Sequence, residues 1–281
     1  MKPRPFRPGR KHPEMAMGRA RPNEFHPAMA SGPLGGRIAL VTGSTSGIGL
    51  GIARVLATAG ADIVLNGFGE AAKIEKAQAG IAADHGVRAA FVGADLGKAD
   101  GCTRLIVEAE RVLGRIDILV NNAGIQHTAP VEAFPPERWD AIIALNLTAA
   151  FHTMRAAIPG MKTKGWGRIV TISSIWGKIS RAGRGSYSTS KFAVDGMTAA
   201  LAAEVAEHGI LANCVAPGFI DTDLTRRVLG EDGMRQVAAQ VPMRRLGRVE
   251  EIAAFVAWLV GPENTYISGQ NIAIDGGFTR V

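Results

Sequence analysis

From residue 37 onward, short continuous apolar runs alternate with longer stretches of helical period. The runs at 38–41, 62–66, 89–94, 116–121, 168–173, 211–215 and 271–274 predict strands. The stretches at 47–59, 70–84, 100–113, 186–208 and 249–260, with two more near 136–163, predict helices. The strand runs are apolar throughout and do not alternate with polar residues, which marks strands covered on both faces. Strand and helix in strict alternation imply parallel βαβ units. The expected fold is therefore α/β, a single doubly wound parallel sheet of Rossmann type with helices on both faces. Between the last two helix and strand signals, residues 223–247 are rich in Arg and lack a hydrophobic period, and they read as a mobile lid.

The first 34 residues break the pattern. They hold seven prolines, scattered charge and no hydrophobic period, and read as a disordered basic extension ahead of a domain at 35–281. The chain carries a formal charge of +7, which invites a nucleic-acid reading. Residues 1–36, however, contain seven basic groups against only Glu14 and Glu24, so the basicity belongs to a tail without interleaved aromatics and not to a domain face. No nucleic-acid partner is expected. The absence of an uninterrupted apolar run of about 18 residues argues against a membrane span. Cys102 and Cys214 lack metal-ligand spacing and need no disulfide; they fit a reducing cytoplasm, and no metal site is expected.

Chemistry gathers at two places. Thr42-Gly43-Ser44-Thr45-Ser46-Gly47-Ile48-Gly49 joins the first strand to the first helix. Gly43 allows a tight turn, Gly47 allows close backbone approach to a pyrophosphate, and Gly49 allows helix and sheet to pack. The N–H groups that open the helix then face the phosphates of a dinucleotide. The second place is Tyr187, one of only two tyrosines, with Lys191 one helical turn on. Positions i and i+4 share a helix face, and a nearby ammonium favours the phenolate, so the pair suits proton transfer near neutral pH. Ser173 and Ser174, at the end of the fifth strand run, are both chemically suited to hold a substrate oxygen.

The spacing T-G-x-x-x-G-x-G, followed in order by Asn121-Asn122-Ala123-Gly124, Asn146, Ser174, Tyr187-x-x-x-Lys191 and Pro217-Gly218, resembles the short-chain dehydrogenase/reductase family over residues 37–281. The resemblance implies hydride transfer between a nicotinamide and a carbinol or carbonyl carbon. Tyr187 would be the general acid/base, Lys191 would also hold the nicotinamide ribose, and Ser174 would bind the substrate oxygen. Asn146 would anchor a water that relays protons to Lys191. On the cofactor side it implies contacts from Gly43, Thr45, Ser46, Gly47, Ile48, Gly49 and Phe68. Asp95 and Leu96 would lie at the adenine edge, Asn122, Ala123 and Gly124 along the adenosine, and Pro217, Gly218, Ile220 and Thr222 at the nicotinamide end. The second strand run ends Leu65-Asn66-Gly67-Phe68 without a basic residue for a 2′-phosphate, which favours NAD. The acid expected on the ribose is also missing, so NADP stays open.

Two subgroups share the resemblance. Residues 37–153, with Asn66-Gly67-Phe68-Gly69 and Gly124-Ile125-Gln126-His127, resemble 3-hydroxybutyrate dehydrogenases, and Gln126 inherits a contact to the substrate carboxylate. The region after Ser173 is more similar to 3-oxoacyl-(acyl-carrier-protein) reductases. Trp176 stands where hydroxybutyrate dehydrogenases have a carboxylate-binding His, and Arg184 replaces a Lys of the same site; an Arg still clamps a carboxylate. The leading expectation is a dehydrogenase of a small 3-hydroxy acid, a small-molecule enzyme, with a 3-oxoacyl thioester reductase second and a non-catalytic dinucleotide-binding scaffold third. Arg226, Arg227, Arg244 and Arg245 read either as a greeting for an acidic substrate or as a solvated face. By resemblance, a homotetramer forms through the long helices and the C-terminal segment, including Phe255, Trp258 and Phe278.

Overall fold

The computed structural model describes residues 32–281, and in it the alternation becomes one parallel sheet. Strand β1 (Ile38–Val41) leads through the glycine turn into α1 (Gly47–Thr58). Then come β2 (Asp62–Leu65), α2 (Ala71–His85), β3 (Ala89–Phe91), α3 (Ala99–Leu113) and β4 (Ile118–Asn121). Next, α4 (Pro136–Ile143) runs through a π-turn (Ala144–Thr148) into α5 (Ala149–Lys164). The chain continues with β5 (Gly167–Ile172), α6 (Gly185–Val205) and β6 (Ile210–Pro217). It ends with β7 (Ile220–Asp221), α7 (Asp223–Gln240), β8 (Gly247–Arg248), α8 (Val249–Val260) and β9 (Asn271–Ile274). The strand order is β3-β2-β1-β4-β5-β6-β9, every pair parallel.

The doubly covered sheet follows from period two. On β1, Ala39 and Val41 enter a core shared with α1, α8 and Ile81 of α2, while Ile38 and Leu40 enter the opposite core with α3, α5 and α6. A strand that feeds two cores has no polar face to show, hence its unbroken apolar run. The chain winds outward from β1 through β2 to β3 and then returns across β1 to β4. The connections leaving β1 and β4 therefore diverge and open a crevice at their C-terminal ends.

The structure departs from the sequence expectations in four places. Leu34, assigned to the extension, is buried in the first core, and its N–H donates to the Ala59 carbonyl at 2.8 Å; the ordered region therefore takes in residues 32–34. The rest of the extension lies outside the described residues. Residues 223–240, expected to be mobile, form α7. Its start is capped by the Thr222 hydroxyl, which accepts from the Thr225 N–H at 3.1 Å, and Gly230 (φ 63°) breaks it midway. Short-range pairs such as Arg235 with Asp232 and Glu231 support a helix with little apolar stripe to reveal it. The third strand stops at Phe91, three residues early, because the chain past it serves the crevice. Finally, the two helices near 136–163 meet almost without a break, through the π-turn. Pro136–Lys164 is also the one helical stretch among the described residues with the length and mean hydropathy (1.3) of a membrane span. Met154, Ala157 and Met161 on that stretch are buried against α3 and β5 as a core face.

Candidate active site

The glycine turn is built by its neighbours. Gly43 has φ 60°, and a Cβ there would lie 2.9 Å from the Ala123 Cα. At Gly49 a Cβ would lie 2.4 Å from both the Asn122 amide nitrogen and the Gly43 carbonyl. Gly49 thus lets α1 close onto the turn and the β4 exit. Gly47, with φ 54°, meets only the Thr222 methyl at 3.9 Å and borders open space. The start of α1 has no side-chain cap at Ser46 and no acid in its first turn, so Gly47, Ile48 and Gly49 present N–H groups to that space. An uncapped, acid-free helix start beside an open glycine fits a pyrophosphate.

Other residues expected on the cofactor also brace the turn. Asn122 donates its amide to the carbonyls of Thr42 (2.9 Å) and Gly43 (3.0 Å), and the N–H groups of Asn122 and Ala123 both donate to the Thr42 hydroxyl at 3.0 Å. These polar groups shape the turn. The Thr45 hydroxyl donates to the Phe68 carbonyl at 2.8 Å, tying the turn to the β2 exit. The Asn66 side chain is buried and donates to the Val92 carbonyl, so neither its carbonyl nor its amide reaches into the crevice as a ribose ligand. Asp95 stays exposed, Leu96 is buried, and Gly218 packs on Asp275 beside Pro217. Ile220 is buried next to Thr222, whose hydroxyl is committed to capping α7.

Across the crevice, β5 and α6 carry the reactive group. The structure separates the two serines. The Ser173 hydroxyl donates to the Lys191 carbonyl at 3.1 Å and is a structural clamp, while the Ser174 hydroxyl accepts from the Trp176 N–H at 3.2 Å and lies beside the Tyr187 phenol, whose charged form it favours. Gly177 makes this possible, because a Cβ there would lie 2.6 Å from both the Lys191 carbonyl and the Ser173 hydroxyl. Burial pushes the Tyr187 phenol above its ordinary value; the Ser174 hydrogen bond and the Arg184 guanidinium pull it back. The sequence expectation gave that lowering to Lys191. Instead, the Lys191 ammonium lies 5.5 Å from the Tyr187 ring centre and donates to the Ile172 carbonyl at 2.7 Å. Burial pushes it down to about 8.

Asn146 lies within the π-turn, where the i+5 register frees main-chain groups that an α-helix would pair. Its side chain is fully engaged: Oδ1 accepts from the Ile125 N–H (2.8 Å), and Nδ2 donates to the Ile125 carbonyl (2.9 Å) and to Ser190 (3.1 Å). A water held at Asn146 therefore rests on its main chain. Gly124 lies between Asn146 and Lys191, with a Cβ position 3.1 Å from Asn146 Oδ1 and 3.7 Å from Lys191 Nζ.

On the substrate side, Arg184 donates to the side-chain carbonyl of Gln126, which joins two residues 58 positions apart. Trp176 is buried edge-on against Phe219 and Phe278, with ring centres 6.2 Å away in each case, and so forms an aromatic wall. Phe278 faces this wall; the expectation placed it at a subunit contact. His127 packs edge-on against Phe134 at 5.3 Å, as a loop histidine. Three of the lid arginines are already partnered: Arg226 pairs with Asp221 at 2.6 Å, Arg245 pairs with Glu251 at 2.7 Å, and Arg244 donates to the Ala239 carbonyl. Two basic residues near the crevice escaped the sequence reading. Arg104 of α3 lines an open cleft of about 580 Å³ with Phe68 and Asp95 and pairs with Asp100 at 3.3 Å. Arg181 lies with its guanidinium over Trp176.

Comparisons with known proteins agree with this geometry. A family model described as Enoyl-(Acyl carrier protein) reductase matches residues 43–279. A D-beta-hydroxybutyrate dehydrogenase of Cupriavidus necator is 43% identical over 258 residues, covering 87% of this chain and 98% of the relative. A 3-oxoacyl-(acyl-carrier-protein) reductase of Aquifex aeolicus is 39% identical over 245 residues, covering 87% and 98%. The crystal structure of a gluconate 5-dehydrogenase from Burkholderia cenocepacia in complex with NADP and tartrate superposes with a TM-score of 0.82 at 36% identity, covering 88% of this chain and 97% of that one. The chain belongs to the short-chain dehydrogenase/reductase family, whose members are oxidoreductases that bind a nicotinamide dinucleotide.

Proposed function

We propose that the protein interconverts a small 3-hydroxy acid such as 3-hydroxybutyrate and its 3-oxo acid, with NAD as the cofactor. The observation that carries this reading is the Arg184–Gln126 pair beside Tyr187, a guanidinium with carboxylate-binding geometry within Coulombic reach of the proton-transferring phenol. When bound, the nicotinamide accepts or returns the hydride. The chain supplies everything else. Ser174 and Tyr187 hold the carbinol oxygen, Tyr187 takes the hydroxyl proton during oxidation and returns it during reduction, Ser174 and Arg184 favour the phenolate, and Lys191 would hold the nicotinamide ribose. Asn146 holds the relay water through its main chain. Gln126 and Arg184 orient the carboxylate, and Trp176 closes the pocket.

The NAD assignment is supported by the lack of any basic residue in the turn at 42–49 or in the β2 exit at 66–69, and by the pairing of Arg104 with Asp100. Two buried free thiols suit a reducing compartment, and Phe151 and Phe192, half exposed on α5 and α6, suit assembly into a homotetramer. The competing reading, reduction of a 3-oxoacyl thioester, draws on the 39% identity of the chain to a 3-oxoacyl-(acyl-carrier-protein) reductase. The test is a panel of 3-hydroxy acids and 3-oxoacyl thioesters with NAD(H) and NADP(H), followed at the nicotinamide absorbance. Turnover of 3-hydroxybutyrate with NAD at higher kcat/KM than any thioester with NADPH is expected. The reverse preference overturns the substrate assignment.

A further inference from the structure

Between Asp140 and Asp195 the sequence contains no acidic residue, while eight lysines and arginines fall in the same interval. Three of these have work elsewhere. Lys164 pairs with Asp117, Arg168 donates to main-chain carbonyls, and Lys191 anchors to β5. Arg181 and Arg184 are set apart by position: among the described residues neither has a carboxylate within salt-bridge distance, and both are gathered at the Trp176 ring.

Both guanidiniums lie over the same indole. The Arg181 Cζ is 5.1 Å and the Arg184 Cζ 5.7 Å from the Trp176 ring centre. Trp176 is itself fixed from behind by Phe219 and Phe278, which meet each other edge-on at 5.1 Å. The Phe278 turn is held in turn by Asp275, which accepts from the Gly277 and Thr279 N–H groups at 2.9 and 2.8 Å. The aromatic wall therefore carries two cations side by side, Arg184 partly buried and Arg181 exposed. The Nε of Arg184 is buried without a partner, and burial together with repulsion from Arg181 depresses its charged form. An unpartnered buried donor beside an uncompensated like charge calls for an anion.

We propose that Arg181 is a second substrate-binding residue, which holds the substrate carboxylate jointly with Arg184 across Trp176, and that Trp176 is the positioning residue that sets the two guanidiniums. This rests on the reading of the substrate as a hydroxy acid and deepens it. An incoming carboxylate relieves the repulsion between the two cations, so the second arginine strengthens binding of the charged group and leaves the reacting carbon untouched.

The test compares the parent enzyme with Arg181→Gln and Arg181→Lys, saturated with NAD, on 3-hydroxybutyrate and on its methyl ester. The expected result is a KM for the acid raised about tenfold in Arg181→Gln with kcat within about twofold, no matching change for the ester, and recovery of most of the loss in Arg181→Lys. Equal changes for acid and ester, or no change for either, overturn the proposal. Malonate binding to the enzyme–NAD complex, read by tryptophan fluorescence, decides the matter even if the parent turns over neither substrate and the functional reading falls. Malonate binding about tenfold weaker in Arg181→Gln supports the joint clamp, and unchanged binding removes it.

Discussion

The Lys191 ammonium donates to the Ile172 carbonyl at 2.7 Å, so the charge at the centre of the candidate site is anchored to the end of β5 and does not lie in contact with the Tyr187 hydroxyl. Burial pushes Lys191 from 10.5 down to about 8. Between those values the folded protein has released a proton that the unfolded chain still binds, so stability rises with pH across that window. Against Lys191→Met, the parent should gain about 2 kcal/mol between pH 7 and 9.5. Cys102 and Cys214, pushed up to about 11 and about 12 by burial, pull the other way above pH 9 in both proteins and largely cancel in the comparison. Urea unfolding of both proteins at the two pH values measures the difference; parallel pH profiles would show that Lys191 is not desolvated as described.

The two adjacent serines should separate structure from chemistry. Ser173→Ala removes one buried hydrogen bond to the α6 backbone and should cost about 1 kcal/mol of stability with turnover retained. Ser174→Ala also removes one hydrogen bond, from the Trp176 N–H, and should cost a similar amount, about 1 kcal/mol, but it should lower kcat about 100-fold. Thermal melts and steady-state rates on the same preparations check both halves, and the opposite assignment would exchange the two effects on turnover.

Glycines of the turn should also differ. An Ala at Gly49 places a Cβ 2.4 Å from the Gly43 carbonyl and the Asn122 amide, so Gly49→Ala should destabilise by about 1–3 kcal/mol and distort the turn. Gly47→Ala meets nothing closer than 3.9 Å and carries only the strain of φ 54°, about 1–2 kcal/mol, yet it fills the space proposed for the pyrophosphate. Both variants should weaken NADH binding in a fluorescence titration, but only Gly49→Ala should do so through a large loss of stability beyond backbone strain.

The parallel sheet and most helices could be read from the sequence because β1 and its neighbours are buried on both faces, and a strand feeding two cores leaves an unbroken apolar run. The glycine turn and the Tyr187–Lys191 pair were equally plain, since spacing alone places them on a turn and on one helix face. What stayed hidden depends on which partner a polar group finds. Asn122 and Asn146 were expected near ligands, but their amides are consumed by backbone carbonyls within the fold, a choice no spacing encodes. Helix α7 escaped because caps and local ion pairs hold it in place of a hydrophobic stripe. The role of Arg181 beside Arg184 left a trace, the acid-free stretch around them, but their shared indole appears only in three dimensions.

The central claim is that Tyr187 carries the proton in a nicotinamide-dependent reaction. The most direct measurement is single-site replacement with both binding and turnover read out: NADH titration and steady-state oxidation of 3-hydroxybutyrate by Tyr187→Phe and the parent. The account predicts a dinucleotide Kd within about threefold of the parent and a kcat lower by about a thousandfold or more. Turnover within about tenfold of the parent would contradict it, and would move the proton-transfer role to another group in the crevice.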